Sequence, residues 1–394
     1  MNSQFKLFST EFTQNPYPAY ARLRETEPVY KTLFPDGQHG WLITRYDDAI
    51  EVLKDPRFIK DLSKLYGDSM EQESVFMHTM LFSDPPDHKR LRGLVQKAFT
   101  PQMIAGMRGR IQEIANELLD VAASKTKMNL IDDFAFPLPI IVICEILGVP
   151  STDRDKFRVW SNSLIEGSNG EHAAEMFQHT NEFIQYLSQW FEKVRQNPGN
   201  DLISQLIMTD ENGDQLNERE LYGVVTLLII AGHETTVNLI GNSILALLEN
   251  PEQLNLLKNK PELIHNAIEE SLRFNGPVEF STSRWANEDM DFRGKSIRKG
   301  DLIVLALNSA NHDPNQFKDP DIFDITKEKS PHLAFGKGVH LCLGAPLARL
   351  EGEIAINSFI KRFPHIELAV SKDQLEWRPG MIVRGVKEIP LKLK

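Results

Sequence analysis

The chain has 394 residues, of which 41% are hydrophobic, and a formal net charge of −11. The length supports a large hydrophobic core, and the acidic total argues against nucleic acid as a general partner. Two cysteines are too few for a disulfide framework, no run of about 18 apolar residues predicts a membrane span, and the first residues show no signal peptide, so we expect a cytoplasmic protein with no membrane partner.

Short strands and helices alternate in the first part of the chain. The apolar residues predict a strand over 41–44 and a short helix over 46–53. From about residue 88 to 275 the pattern is mostly helical, with apolar residues at helical spacing over 101–123 and 172–194. Most of the chain between these points is therefore expected to be α-helical.

The longest helical pattern begins after Asn217. Glu220 follows three positions later, which is the spacing of a capping box, and the dipeptide Asn250-Pro251 ends the pattern. Short strands return over 302–305 and 368–370. The sequence predicts a mainly α protein with a small β-rich region. It predicts a single domain over 1–394, with the β-rich portion mainly in 1–60 and 276–394 and the helical portion mainly in 87–275.

A cluster of helix-unfavourable residues, A-G-H-E-T-T, stands at 231–236 in the middle of this long helix. Gly232 costs about 1 kcal/mol relative to alanine there, and threonine can bond back to a carbonyl one turn earlier. Glu234 follows an apolar stretch, so its carboxylate enters a helix that is expected to be buried on most sides. Such local conflicts are typical of functional sites. The alternative is a surface glutamate beside a helix-bending threonine.

The second unusual segment is F-G-K-G-V-H-L-C-L-G at 335–344. It places the Cys342 thiol on a glycine-rich loop before a predicted helix with Pro346 in its first turn. A sulfur at a helix N-terminus is favoured as the thiolate, and a thiolate beside a flat surface suits an axial haem ligand. The alternatives are an inert buried cysteine, as we expect for Cys144, or a nucleophile, for which only His340 is near.

The run from Phe335 to Gly344 resembles the haem-thiolate signature of the cytochrome P450 family, F-x-x-G-x-H-x-C-x-G, at every fixed position. The resemblance covers essentially the whole chain. It implies the helix-rich family fold, with the long central helix crossing the haem. It also implies that haem b is bound, with Cys342 as the iron ligand and with Phe335, Gly338, His340 and Gly344 in the cofactor-binding loop.

The mid-helix segment resembles the family's oxygen-activation motif, [AG]-G-x-[DE]-T. By this resemblance Glu234 is the catalytic acid and Thr235 the catalytic alcohol, which together deliver protons during dioxygen activation. Ala231 and Gly232 would contact the cofactor, and Gly232 would leave room for dioxygen. Thr236 is a weaker candidate because the motif places the alcohol directly after the acid.

Three further segments resemble haem-propionate partners of the family. His88 and Arg92 lie four residues apart in a stretch like D-P-P-x-H-x-x-x-R, and Arg284 matches an arginine on a strand beside the haem. His340 is the third candidate. Buried carboxylates such as propionates need cationic or hydrogen-bonding partners.

Glu270 and Arg273 form E-x-x-R, which resembles the family element that braces the haem-side core. We expect a structural role for this pair. Taken alone the pattern is weak, because i,i+3 pairs of this kind are common on solvated helix faces.

The resemblance implies a monooxygenase that uses dioxygen and two electrons. The chain has no dinucleotide fingerprint and no cysteine cluster for an iron–sulfur centre, so a separate ferredoxin or flavodoxin is the expected donor. We expect a monomer. A locally basic face is the hypothesis for docking the donor, and scattered solvated cations are the alternative. The residues of this candidate face are Lys89, Arg90, Lys97, Lys337 and Arg349.

The expected substrate is a bulky lipophilic molecule such as a polyketide, macrolide, steroid, terpenoid or fatty acyl group. The family's pocket segments map to apolar stretches at 62–81, 162–176, 227–232, 278–282 and 381–383. Within them, Glu279 could meet a substrate cation or hydroxyl, or face water.

The chain most resembles the bacterial branch that contains polyketide and macrolide hydroxylases. The alternatives are a peroxygenase driven by hydrogen peroxide and a haem-thiolate sensor or carrier without turnover. The intact Glu234–Thr235 pair ranks the monooxygenase above both.

Overall fold

The computed structural model describes residues 5–67, 78–166, 173–208, 214–327 and 331–393. The α-helices are α1 (Thr10–Gln14), α2 (Tyr17–Thr26), α3 (Tyr46–Lys54), α4 (Ser63–Tyr66), α5 (Asp87–Ala98), α6 (Pro101–Gly106), α7 (Arg108–Ala123), α8 (Pro137–Leu147), α9 (Arg154–Glu166), α10 (Ala173–Gln196), α11 (Leu202–Met208), α12 (Glu218–Glu249), α13 (Pro251–Asn259), α14 (Ile264–Phe274), α15 (Leu307–Ala310) and α16 (Ala345–Arg362). The strands are β1 (Val29–Leu33), β2 (His39–Ile43), β3 (Phe58–Ile59), β4 (Lys127–Asn129), β5 (Arg284–Ala286), β6 (Met290–Phe292), β7 (Lys295–Ile297), β8 (Leu302–Leu305), β9 (Glu367–Leu368) and β10 (Pro390–Lys392).

The chain forms two compact units. The first, which we call the sheet-bearing unit, contains Met1–Phe58, Gly109–Leu138 and Glu234–Lys394. The second, the helical unit, contains Ile59–Arg108 and Pro139–His233. In the helical unit α9 packs against α10, and α5 against α11.

The largest sheet has the strand order β1-β2-β8-β5-β3. β1 and β2 form an antiparallel hairpin, and β2 runs parallel to β8 with Gly40 opposite Leu302. A Cβ atom on Gly40 would lie 2.7 Å from the Leu302 carbonyl oxygen, so only glycine permits this close strand contact. All four residues of β8 are buried, as expected for a strand that is covered on both faces.

The predicted long helix is confirmed as α12. The Glu220 amide donates to Asn217 Oδ1 at 3.0 Å, and the Asn217 amide donates to Glu220 Oε2 at 2.9 Å, which completes the predicted capping box. The helix stays continuous through Gly232. By length and composition α12 is the one helix in the described ranges that passes the test for a membrane span, but 67% of its apolar window is buried inside the protein, which favours a core helix.

The predicted helix over 101–123 is instead two helices, α6 and α7, separated at Met107. Gly106 and Gly109 flank this point, and glycine weakens a helix interior relative to alanine. The predicted helix over 172–194 is present as α10, although residue 172 lies outside the described ranges. The predicted strand over 368–370 is shorter and lies at Glu367–Leu368.

Candidate functional site

Cys342 lies on a tight loop that leads into α16. Its amide donates to the Phe335 carbonyl oxygen at 2.9 Å, and the Gly336 amide donates to the Leu333 carbonyl oxygen at 2.8 Å. Gly344 is the N-cap of α16, and Pro346 lies in the first turn, where no intrahelical N–H bond is lost. The thiol is exposed. The loop therefore presents a sulfur near a helix N-terminus, which favours its thiolate form.

The loop conformation depends on glycine at position 338. Gly338 has φ of +76°, a left-handed conformation that side chains rarely adopt. A Cβ atom there would lie only 2.7 Å from the carbonyl oxygen of Leu53, at the end of α3. The same residue opens the short 3-10 turn that ends at the half-buried His340. Any larger residue at 338 would push the loop away from α3.

The surface around the thiol fits a large flat apolar group. Val339 and Leu341 precede Cys342 on the loop, and their side chains are 52% and 45% exposed. Neighbouring exposed apolar side chains of this kind mark a surface that another group covers. The exposed thiol that follows them has the chemistry of the single axial ligand that a haem iron requires. Elsewhere in the described ranges, no cluster of three or more His, Cys, Asp or Glu could hold a metal ion.

Arg349 fastens this loop to the helix behind it. Its guanidinium lies 4.5 Å from the centre of the Phe335 ring and donates to both carboxylate oxygens of Glu269, at 2.6 and 2.9 Å. Burial alone would raise the pKa of Glu269, but hydrogen bonds and charge from His332 and Arg349 lower it to about 2. Glu269 was not predicted from the sequence, because its partners His332 and Arg349 lie 63 and 80 residues further along the chain.

Glu270 and Arg273 form a buried ion pair, with side chains only 6% and 3% exposed. Arg273 makes two 2.7 Å hydrogen bonds to the Glu270 carboxylate. It also donates to the carbonyl oxygens of Asn311, Pro320 and Ile322. The expected structural brace is confirmed, and the alternative of a solvated surface pair is wrong.

The acid of the mid-helix segment is buried. Glu234 is 2% exposed, and its Oε1 accepts hydrogen bonds from Arg378 Nη1 at 2.7 Å and Asn238 Nδ2 at 3.3 Å. Thr235, the next residue, is half-buried. The expectation that Glu234 enters a buried helix is confirmed. Arg378 was missed because it lies 144 residues further along the chain.

The first residues of the motif belong to the helical unit. Ala231 is exposed and Gly232 is half-buried. A Cβ atom on Gly232 would lie 3.3 Å from Ile143, so this side of the helix has little spare room. His233 is buried and shares a hydrogen bond of 3.2 Å with Ser161. This histidine therefore supports packing between α12 and α9.

The predicted propionate partners lie in both units. In the helical unit, His88 is buried near the start of α5, where burial lowers its pKa and the charge of Arg92 lowers it further, against an opposing effect of Asp84. Arg92 is half-buried on the same helix. In the sheet-bearing unit, Arg284 is buried on β5 and donates to the Phe58 carbonyl oxygen at 3.3 Å.

Glu279 lies inside the protein core and does not face water. It accepts hydrogen bonds from the Tyr20 hydroxyl and from Asn308 Nδ2, and Arg384 Nε lies 3.5 Å from its Oε2. Phe280, also assigned to the pocket by sequence, is buried in a core cluster with Tyr20. Of the other pocket residues, Met77 and the side chains of Leu164 and Ile165 lie outside the described residues.

Two cations of the hypothetical docking face are already paired. Arg90 contacts the carboxylates of Asp214, at 3.0 Å, and Glu220. Arg349 is bound to Glu269 as described above. Their positive charge is therefore largely neutralised locally.

Comparison with known proteins decides the family. Residues 155–393 match the sequence profile of the family Cytochrome P450. The chain is also 43% identical to "Polyketide biosynthesis cytochrome P450 PksS" of Bacillus subtilis, over 97% of each protein. The chain belongs to the cytochrome P450 family. The family carries haem b, takes electrons from a redox partner and binds lipophilic substrates.

Two further relatives extend this assignment. The P450 chain is 43% identical to "Cytochrome P450 monooxygenase PikC" of Streptomyces venezuelae, over 97% of this chain and 92% of that protein. The crystal structure of the myxobacterial cytochrome P450 CYP267B1 in complex with myristic acid matches with a TM-score of 0.95 and 40% identity, covering 100% of both chains. The predicted P450 fold, haem b and the monooxygenase class are confirmed.

Proposed function

We propose that this cytochrome P450 inserts one atom of dioxygen into a C–H bond of a bulky lipophilic small molecule in the cytoplasm. The observation that carries the proposal is the exposed Cys342 thiol on its glycine-dependent loop, which also carries exposed Val339 and Leu341. The second oxygen atom leaves as water, which consumes two electrons and two protons. The electrons come from a ferredoxin or flavodoxin.

In the sheet-bearing unit, Cys342 is the proposed iron ligand, in the loop with Phe335, Gly338, His340 and Gly344. The haem, when bound, supplies dioxygen activation, and a thiolate ligand favours O–O cleavage. His340 and Arg284 are proposed to hold a propionate. In the helical unit, the proposed propionate partners are His88 and Arg92, and Ala231 with Gly232 is the proposed cofactor contact.

Glu234 and Thr235 are the proposed catalytic pair. A hydroxyl at Thr235 can donate a proton at hydrogen-bond range, and the Glu234 carboxylate can replace it through water. The position of the buried Glu234 directly before Thr235 on α12 supports this role. Protons are therefore proposed to pass from Glu234 to Thr235 on α12 and from Thr235 to the reaction site.

The substrate class rests on the apolar composition of the pocket segments and on the relatives. One relative is named for polyketide biosynthesis, and one structure contains myristic acid. At the turn 381–383, Ile382 is an exposed apolar residue, 46% exposed, in a position open to a lipophilic ligand. We therefore propose polyketides and fatty acyl compounds as the first candidates.

The deciding experiment supplies ¹⁸O₂, a ferredoxin–reductase pair and compounds that shift the haem spin state. We expect one labelled oxygen atom in the product. Product from hydrogen peroxide alone would favour a peroxygenase. If every spin-shifting compound bound but gave no product with either the ferredoxin–reductase pair or hydrogen peroxide, the result would favour a haem-thiolate sensor or carrier over an enzyme.

The variant Thr235→Ala tests the proton-delivery step in that experiment. We expect the variant to consume donor electrons at a similar rate but to release more hydrogen peroxide and less product. Unchanged product per electron would show that Thr235 does not have this role. Thr236→Ala, one residue further along α12, is the matched comparison and should stay coupled.

Salt dependence tests the docking of the electron donor. Lys337 precedes the thiolate turn, so we propose that it attracts an acidic ferredoxin or flavodoxin. Lys337→Glu should slow electron transfer at low salt, and added salt should slow the unaltered protein towards the variant. The measurement is stopped-flow reduction of the haem. A rate that ignores both salt and the substitution would contradict this docking role.

A further inference from the structure

Three buried polar side chains form a stripe along α12 in the sheet-bearing unit. Glu234, Asn238 and Asn242 are spaced four residues apart, which places them on one face of the helix. All three are buried. Buried polar groups need hydrogen-bond partners, and a row of three in a core helix therefore indicates one polar element packed alongside.

That element is a C-terminal hairpin over residues 377–386. Trp377 pairs with Val386, and the Arg378 amide donates to the Gly385 carbonyl oxygen at 2.9 Å. Asn242 Nδ2 donates to the Arg384 carbonyl oxygen at 3.0 Å. The hairpin backbone thus reaches one end of the polar stripe directly.

Asn238, in the middle of the stripe, packs directly against the hairpin backbone at Gly385. A Cβ atom on Gly385 would lie 1.8 Å from Asn238 Oδ1, so the backbone is packed directly against this side chain. Asn238 Nδ2 in turn donates to Glu234 Oε1 at 3.3 Å. Asn238 therefore lies between the hairpin backbone and the acid.

At the N-terminal end of the stripe, Glu234 forms an ion pair with Arg378. Arg378 extends from the hairpin, and its Nη1 donates to Glu234 Oε1 at 2.7 Å. The Glu234 side chain is 2% exposed and that of Arg378 is 21% exposed. A charge-assisted bond with one fully buried partner is short and directional, so it selects one position of the carboxylate.

The hairpin is fixed independently of Arg378. Arg384 lies 3.9 Å from the centre of the Trp377 ring, and it donates to Asn275 Oδ1 at 3.0 Å and to the Thr13 carbonyl oxygen at 2.9 Å. Its Nε is 3.5 Å from Glu279 Oε2. These contacts anchor the hairpin in the core, so Arg378 projects from a rigid support.

We propose that Arg378 is a positioning residue for the proton-delivery acid. It holds the Glu234 side chain in one orientation next to Thr235, and the hairpin 377–386 sets that orientation. In coupled turnover, dioxygen, two electrons and two protons convert a C–H bond to C–OH and release water. Without the positioned acid, the same electrons and protons convert dioxygen to hydrogen peroxide. The catalytic part of this inference rests on the proposed function.

The first test needs no turnover. Removing the guanidinium takes the charged donor at 2.7 Å away from a buried carboxylate, which favours uptake of a proton. In infrared difference spectra at neutral pH, Arg378→Gln should show one carbonyl band of a protonated carboxylic acid in addition to any such band of the unaltered protein. The band should vanish in Arg378→Gln/Glu234→Gln. A variant spectrum without the band would overturn the proposal.

The second test is a double-mutant cycle on thermal unfolding of the haem-loaded protein. The losses of Tm caused by Arg378→Gln and Glu234→Gln should not be additive, because each removes the same ion pair. Additive losses would show that the two side chains do not act on each other. If Arg378→Gln loads haem poorly, Arg378→Met also removes the charge and allows both measurements.

The third test measures product per electron. Arg378→Gln should lose coupling severalfold, Arg378→Lys should recover part of it, and Arg378→Gln should have no further effect in a Glu234→Gln background. The control is Lys387→Gln, which removes the exposed Lys387–Glu376 ion pair of 2.9 Å just beyond the hairpin and should leave coupling unchanged. Preserved coupling in Arg378→Gln would refute the positioning role. Absence of any product in the unaltered protein would refute the proposed function and leave the infrared result standing.

Discussion

Replacing Cys342 with serine is expected to abolish the thiolate-type spectrum of the reduced, carbon monoxide-bound protein and to bring product formation below detection. Cys342 is the cysteine of the 335–344 loop, and its side chain is exposed. A hydroxyl there does not supply the electron density that a thiolate gives to the iron. The strongly red-shifted Soret band should disappear while the helical fold remains.

The matched control is Cys144→Ala. Cys144 is buried in α8, where burial raises the pKa of its thiol to about 12, so it remains a thiol at neutral pH. Its replacement removes the chain's other sulfhydryl and should leave the spectrum unchanged. A thiolate-type band that survives Cys342→Ser, or is lost in Cys144→Ala, would overturn the ligand assignment.

Replacing Arg273 with methionine is expected to cause the largest loss of stability of any single change discussed for this protein. The substitution removes the hydrogen-bonded cation of the buried Glu270 carboxylate, which keeps only the more distant contact with Lys327 Nζ at 3.6 Å, and it removes the donors to three backbone carbonyl oxygens. Breaking a buried ion pair in this way costs about 3–5 kcal/mol. Folded domains are commonly stable by only about 5–15 kcal/mol, so most of the margin is at risk.

The measurement is the urea midpoint at which the haem-loaded protein loses its thiolate-type spectrum. Arg298→Met is the control, because it removes an arginine from an exposed 2.8 Å pair with Asp289, and such pairs contribute about 0–1 kcal/mol. Arg273→Lys keeps the charge but not the two-pronged geometry, and should lie between them. Equal midpoints for Arg273→Met and Arg298→Met would contradict the bracing role.

The chemistry of this protein is encoded in short stretches of sequence. The ten residues from Phe335 to Gly344 contain Cys342, the loop glycines and the N-cap of α16, and the capping box at Asn217 and Glu220 marks the start of α12. Such features are legible because the interacting groups lie within a few residues, where backbone geometry alone sets their spacing. The mainly α class followed from the same local periodicity.

Tertiary structure alone decided which distant side chains meet. From the sequence, Glu279 could either contact a substrate or face water. In the structure it is buried and interacts with Tyr20, Asn308 and Arg384. The partner of Glu234 is Arg378, on a hairpin that local patterns do not connect to α12. The sequence by itself therefore indicated the candidate reactive groups and determined the family. Their orientation depended on contacts between remote segments, because those distances arise only when the core is packed.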